Sequence, residues 1–149
     1  MNSFIERFLQ LSDERSSLCL GLDPSRELMR DWGLSDDVEG LHRFCGVVME
    51  AAADRIAVVK PQSGFFERLG PPGLSELATT VTKIREQGAL SIIDCKRGDV
   101  IDTMKGYAEA MLGPHSGFGG DAMTVTGYWG SAHCAPFSIG PPNAVGRHS

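Results

Sequence analysis

The sequence predicts a single α/β domain built around a parallel sheet. Short apolar runs alternate with segments whose apolar residues recur at helical spacing, which gives a first helix, three strand-helix units and a fourth strand. The predicted strands are apolar almost throughout, as is typical of strands that are buried on both faces. With 149 residues, of which 42% are hydrophobic and 22% charged, the chain can bury a hydrophobic core.

The strands are recognised as short apolar runs, the first three of which end at charged residues. The four runs are 18–22, 56–59, 89–93 and 121–125. The first stops at Asp23-Pro24 and the second at Lys60-Pro61, where proline prevents regular structure from continuing. The third ends at Asp94. Each of the first three strands is therefore followed directly by a charged residue.

The helices are recognised by apolar residues three and four positions apart. They are predicted at about 3–16, 36–53, 74–87 and 102–112. Asp36, with Glu39 three residues later, resembles a capping box at the start of the second helix. The cluster 70–73, with the sequence Gly-Pro-Pro-Gly, is interpreted as a breaker that precedes the third helix.

Composition and charge exclude several classes of protein. The net charge is -5 and the basic residues are scattered, which argues against a nucleic-acid partner. No run of about 18 apolar residues indicates a membrane span, and the N-terminus has no signal-peptide pattern, so a cytoplasmic protein is expected. The four cysteines form no C-x-x-C pair, so no metal site is predicted from them.

Alternating strands and helices fit either an open doubly wound sheet or part of a (β/α)8 barrel, and periodicity does not separate the two. The glycine-rich sequences that bind nucleotides in many open sheets, G-x-G-x-x-G after the first strand and G-x-x-x-x-G-K-[ST], are missing. In either architecture, loops at the C-terminal ends of the strands converge on the active site. The charged residues at those ends are therefore candidate site residues.

Asp23, Lys60, Asp94 and Lys96 all occupy such strand ends. Asp94 and Lys96 are two positions apart, so their side chains project to the same side if the segment is extended. Asp99 follows Gly98, where the chain can turn back towards Lys96 or towards a neighbouring subunit. Opposite charges in a confined site keep one another ionised, because each offsets the desolvation of the other. A structural salt-bridge network is the alternative interpretation.

The D-x-K-x-x-D pattern of Asp94, Lys96 and Asp99, followed by Val100 and Thr103, resembles the signature of orotidine 5'-monophosphate decarboxylases. The bacterial type 2 subgroup is the most similar. The resemblance in order and spacing extends over residues 1–137, and it includes three further segments. These are Leu20-Gly21-Leu22-Asp23-Pro24, Val58-Val59-Lys60-Pro61-Gln62 with Phe65-Phe66-Glu67, and Asp121-Ala122-Met123-Thr124-Val125.

The resemblance implies a (β/α)8 barrel of which this chain covers about the first four strands. It also implies a homodimer that converts orotidine 5'-monophosphate to uridine 5'-monophosphate, a step of pyrimidine biosynthesis, without metal or organic cofactor. Lys96 would stabilise and protonate the C6 carbanion, and Asp94 would lie against the substrate carboxylate.

The other site residues follow from the same match. Lys60 and Asp99 would complete the charge network. Asp23 and Lys60 would contact the ribose, and Asp99, Val100 and Thr103 would reach into the partner subunit's site.

A complete barrel of this type needs about 250 residues, and the family's phosphate-binding segments follow its seventh and eighth strands. The chain is therefore expected to be truncated, and weak or inactive alone. Residues 138–149 have no periodicity and resemble no part of the family, so a disordered or aberrant tail is expected there. Two alternatives stay open: a sugar-phosphate decarboxylase of the same superfamily, and a non-catalytic half-barrel. The Arg97-Gly98 pair and the Lys60-Pro61-Gln62 segment favour the pyrimidine enzyme over the first.

Overall fold

A computed structural model describes residues 3–52 and 54–129 of the chain. The predicted tail, 138–149, lies outside these residues. In chain order the elements are α1 (Phe4–Glu14), β1 (Cys19–Leu22), α2 (Arg26–Asp31), α3 (Val38–Ala52), β2 (Val58–Pro61), α4 (Ser63–Glu67), α5 (Gly70–Glu86), β3 (Leu90–Arg97), α6 (Ile101–Met111) and β4 (Ala122–Val125), followed by a 3₁₀ turn at Gly127–Trp129.

The four strands form one sheet in the order β1-β2-β3-β4, and every neighbouring pair is parallel. The parallel α/β prediction is confirmed. Sequential order with helical crossovers is the arrangement in which a (β/α)8 barrel begins. Gly21 pairs with Lys60 and Gln62 bridges to Asp94, so the ends of β1, β2 and β3 lie side by side.

The sheet is covered differently on its two faces. On one face Val59 and Ile93 belong to a large core with residues of α2 to α5, including Phe66 and Leu77. On the other face Val58 and Leu90 pack against the apolar side of α1, which consists of Phe4, Phe8 and Leu11. Side chains alternate along a strand, so Lys60 and Asp94 share this second face with Val58 and Leu90. Helix α1 therefore covers the start of the strands and leaves their ends for the site.

Helix α1 is fixed in this position by polar contacts. A capping box begins it, in which the Ser3 hydroxyl accepts from Glu6 N at 3.3 Å and the Glu6 carboxylate accepts from Ser3 N at 2.7 Å. Arg7 pairs with Asp121 at 2.6 Å, and Asp121 in turn accepts a hydrogen bond from Ser91 N at 2.9 Å. The helix is thereby tied to the starts of β3 and β4.

Two local predictions about helix starts are wrong. Helix α3 is capped by Asp37, whose Oδ1 accepts from Gly40 N at 2.9 Å. Asp36 instead forms ion pairs with Arg26 and Arg68, because those guanidinium groups reach it from neighbouring elements. The Gly-Pro-Pro-Gly cluster at 70–73 forms the first turn of α5 rather than preceding it. Proline is tolerated there because the first N–H groups of a helix have no partner within the helix, so the N–H group that proline lacks is not missed.

Gly73 lets α5 approach α4 closely, and we expect Gly73→Ala to destabilise the chain by about 1–3 kcal/mol. A Cβ at this position would overlap the Phe66 carbonyl oxygen and lie 2.9 Å from the Leu69 Cβ. Gly46 in α3 is the matched control, because a Cβ there meets no atom within 4 Å. Gly46→Ala should stabilise the chain by about 0.5–1 kcal/mol through helix propensity. Urea unfolding of both variants tests this, and equal effects would contradict it.

Candidate active site

The site is a buried carboxylate that receives hydrogen bonds from side chains of three segments. Asp94 is 5% exposed. Its Oδ2 accepts from Lys60 Nζ at 2.5 Å, and its Oδ1 accepts from Lys96 Nζ and from the Thr124 hydroxyl, both at 2.7 Å. These donors belong to β2, β3 and β4. Two ammonium groups and one hydroxyl thus converge on one carboxylate at the C-terminal end of the sheet.

The position of Lys96 depends on an irregularity in β3. The pairing of β3 with β4 runs from Ile93 opposite Met123 to Arg97 opposite Val125, so β3 contains two more residues than β4 over this stretch. Lys96 has a φ of 45°, which places a non-glycine residue in the left-handed region. The expectation that Asp94 and Lys96 share a site is met, but by a bulge rather than by extended alternation.

Thr124 holds this bulge in place. Its Oγ1 accepts a hydrogen bond from Lys96 N at 2.9 Å while its hydroxyl donates to Asp94. One side chain therefore fixes both the backbone of the lysine and the carboxylate that the lysine contacts. Sequence analysis did not assign a role to Thr124, although its place in the fourth apolar strand, with both neighbours apolar, was a signal that it served a purpose other than packing.

Gln62 is a second residue whose role sequence analysis missed. Its side-chain amide lies between the backbone carbonyl of Asp94 and the ammonium of Lys96. In the orientation that satisfies both groups, Nε2 donates to the carbonyl and Oε1 accepts from Lys96 Nζ at 3.3 Å. The Lys96 ammonium therefore has one acceptor on β3, Asp94, and one on the residue that follows β2, Gln62.

Asp94 and Lys60 each favour the ionised form of the other. Burial raises the pKa of Asp94, but hydrogen bonds from Lys60, Lys96 and Thr124 outweigh it and lower the pKa to about 2. The hydrogen bond to Asp94 raises the pKa of Lys60, although burial opposes it, and the nearby charge of Asp23 raises it further. At neutral pH the site therefore contains a carboxylate and a neighbouring ammonium.

The remaining predicted residues lie around this cluster to different extents. Asp23 is exposed at the end of β1 and is close enough to Lys60 to act on its charge. Asp99 accepts a hydrogen bond from Val100 N at 2.7 Å, and within residues 3–52 and 54–129 no hydrogen bond or ion pair joins it to Lys60 or Lys96. Val100 is exposed and Thr103 half-buried at the start of α6. A single chain thus brings together Asp94, Lys60 and Lys96, with Asp23 nearby.

An open cavity of about 440 Å³ adjoins the cluster, and Gln62, Asp94 and Lys96 are among its lining residues. Gly98 follows at the point where β3 leaves the sheet, and a Cβ there would overlap the Thr126 side chain. Glycine therefore lets the chain leaving β3 approach the residue that follows β4. Among the described residues no group of three or more histidine, cysteine, aspartate or glutamate side chains could hold a metal ion. In the same part of the chain, no helix has the length and apolar character needed to cross a bilayer.

Comparison with known proteins identifies one family. Residues 16–137 match the model of the orotidine 5'-phosphate decarboxylase / HUMPS family. The orotidine 5'-phosphate decarboxylase of Salinispora tropica is 48% identical over 136 residues, which are 91% of this chain and 49% of the relative. That of Myxococcus xanthus is 49% identical over 127 residues, which are 85% of this chain and 44% of the relative. The chain spans about half the length of the curated relatives it matches.

Comparison with solved structures identifies the same family. A crystal structure described as that of an orotidine 5'-phosphate decarboxylase from Streptomyces avermitilis superposes with a TM-score of 0.88 and 47% identity, covering 91% of this chain and 48% of that one. The orotidine monophosphate decarboxylase of Leishmania donovani superposes with a TM-score of 0.74 and 26% identity, and 49% of its chain is covered. The fold is therefore that of about half of these barrels.

Proposed function

Because this chain belongs to the orotidine 5'-phosphate decarboxylase / HUMPS family, we propose that it supplies the charged half of a site that decarboxylates orotidine 5'-monophosphate. The observation that carries the proposal is the pair of ammonium groups on Asp94, at 2.5 Å from Lys60 and 2.7 Å from Lys96. Relatives that are 48% and 49% identical bear the name of this enzyme. The whole reaction would require the other half of the barrel as well.

Lys96 is the proposed stabiliser and proton donor. In the reaction the bond between C6 and the carboxylate carbon breaks, carbon dioxide leaves, and the electron pair stays on C6. A fixed ammonium beside C6 stabilises this charge more in the transition state than in the ground state. Lys96 would then transfer a proton from Nζ to C6, giving uridine 5'-monophosphate. Its side chain is 62% exposed, so the ammonium can reach a substrate in the cavity.

Asp94 and Lys60 have supporting roles in this proposal. Asp94 lies against the substrate carboxylate, and its ionised state keeps Lys96 oriented. Lys60 balances the charge of Asp94 and, together with Asp23, contacts the ribose hydroxyls. The position of Asp23 at the neighbouring strand end, within electrostatic range of Lys60, supports this pairing.

Asp99, Val100 and Thr103 are proposed to act in the site of a partner subunit in a homodimer. Two observations support this. Asp99 forms no hydrogen bond or ion pair with Lys60 or Lys96 among the described residues of its own chain. Val100 and Ile101 expose 50% and 43% of their surface directly after it, which is an apolar patch that a second subunit could cover. The proposed setting is pyrimidine biosynthesis in the cytoplasm.

Turnover in a reconstituted barrel tests the proposal. We expect the purified chain to release uridine 5'-monophosphate from orotidine 5'-monophosphate weakly or not at all when alone. Adding the C-terminal half of the Salinispora tropica relative should raise the rate substantially, because remote binding of the phosphate contributes to activation in such reactions. Chromatographic separation of substrate and product measures both rates.

A β-keto sugar phosphate acid serves as the comparison substrate in the same mixtures. Preferential turnover of that compound would reassign the chain to the sugar-phosphate decarboxylases of the superfamily. Complex formation without turnover of either substrate would support a non-catalytic half-barrel and contradict the proposal.

A further inference from the structure

An ion pair lies outside the charge cluster of Asp94, Lys60 and Lys96, and it connects the two segments that contain these three residues. Arg97 Nη2 lies 2.7 Å from Glu67 Oε1, and the two side chains are 30% and 33% exposed. Arg97 directly follows Lys96, and Glu67 ends α4, which begins two residues after Pro61 of the Lys60-Pro61-Gln62 segment. The pair therefore connects the end of β3 to the turn that follows β2.

The Glu67 side of the pair is rigidly held. The Ser63 hydroxyl donates to the same carboxylate oxygen, Oε1, at 2.8 Å. Ser63 is 2% exposed and Phe66 is fully buried in the core, so α4 is fixed against the sheet. A carboxylate with a second donor on a buried helix turn is a stable anchor, because little side-chain entropy remains to be lost when Arg97 binds it.

Arg97 has two further contacts besides the ion pair with Glu67. Its guanidinium carbon lies 5.5 Å from the centroid of the Tyr107 ring on α6. Its backbone carbonyl accepts a hydrogen bond from Thr126 N at 2.8 Å, where β3 rejoins β4 after the bulge. Arg97 is thus held by α4, by α6 and by the residue that follows β4, whereas the side chain of the preceding residue, Lys96, is 62% exposed.

Lys96 needs such support. A lysine with a φ of 45° has left the favoured regions, and this costs on the order of 1–3 kcal/mol unless the surroundings enforce it. Little packing restrains its 62% exposed side chain. A fixed residue directly after it limits how far the bulge can relax.

We infer that Arg97 and Glu67 are positioning residues that hold the Lys96 ammonium against Asp94. Neither forms a hydrogen bond or an ion pair with Asp94, Lys60 or Lys96 among the described residues, so both act through the backbone of the bulge. The importance of this role for catalysis rests on the proposed function, but the positioning itself does not.

Glu67→Met is the decisive variant, because the loss of its charge and the release of the bulge would change the pKa of Asp94 in opposite directions. Removing a negative charge would lower the pKa of Asp94 through the electrostatic field. Releasing the bulge would withdraw Lys96 from Asp94 and raise the pKa by roughly one pH unit, the lower end of what a charged partner contributes. We expect the rise, measured by NMR as the titration of the Asp94 carboxyl carbon in the 149-residue chain.

Two further variants complete the experiment. Glu67→Asp keeps the charge but shortens the reach to Arg97, and it should raise the same pKa by a smaller amount. Arg7→Met breaks the 2.6 Å ion pair with Asp121 at the other end of the sheet and should leave the Asp94 titration unchanged. An unchanged or lowered pKa in both Glu67 variants, or an equal rise in Arg7→Met, would overturn the inference. No substrate is needed, so failure of the decarboxylation assay leaves this result independent.

Discussion

Replacing Lys96 with alanine is expected to lower the decarboxylation rate by about 10⁴-fold or more in any assembly of this chain that turns over. A positioned proton donor contributes roughly 10²–10⁴ and a positioned charge roughly 10²–10³ to such reactions, and Lys96 has both assignments. Lys60 cannot replace it, because its ammonium lies at the other oxygen of Asp94 and its side chain is 30% exposed, against 62% for Lys96. The rate of uridine 5'-monophosphate release from the reconstituted barrel is the measurement.

The fold should survive this change, because the Lys96 side chain is 62% exposed. Circular dichroism of Lys96→Ala should therefore match that of the unmodified chain. Its urea midpoint should fall by less than that of a variant without the Asp94 carboxylate, because Lys60 still pairs with Asp94. Lys105→Ala is the matched control: Lys105 is 57% exposed and pairs with Asp102 at 2.9 Å on α6. It loses a comparable ion pair and should keep full activity. Retained turnover in Lys96→Ala would remove that lysine from its assigned role.

Asp94→Asn is expected to abolish turnover and to destabilise the chain by roughly 3 kcal/mol at neutral pH. That is the lower end of the range for breaking a buried ion pair, because Lys60 and Lys96 keep access to solvent. Without the carboxylate the two ammonium groups lose their shared partner and repel each other. Urea unfolding of the variant and of the unmodified chain measures the difference.

Asp94→Asn should also reduce the dependence of the free energy of unfolding on pH in acid. The pKa of Asp94 is lowered in the folded state from an ordinary value of 3.8 to about 2, so between these values the unfolded chain binds more protons. The stabilisation, on the order of 2 kcal/mol, is fully present above about pH 4 to 5 and is lost as the pH falls towards 2. Asp94→Asn should lack this loss, whereas Asp102→Asn, at a side chain that is 92% exposed, should retain it. A loss of equal size in both variants would contradict the assignment.

The sequence alone predicted much of the fold and indicated that charged residues at the strand ends lie together. Periodic apolar patterning predicted the order of long helices and strands, and the charged residues after Leu22, Val59 and Ile93 indicated where the site lies. The short helices α2 and α4 were not predicted, because helices of 6 and 5 residues extend over too few turns for a periodic signal. Local motifs indicated the family, and the match of residues 16–137 to the family model confirms it.

What the sequence by itself determined is which residues stand at the strand ends, because alternation and chain breakers are local properties. The tertiary structure decided how they meet. The bulge at Lys96, the two roles of Thr124 and the contact between Arg97 and Glu67 join residues about 30 positions apart in the chain. Their geometry depends on the register between strands and on the placement of α4, which long-range packing controls and which no local pattern records.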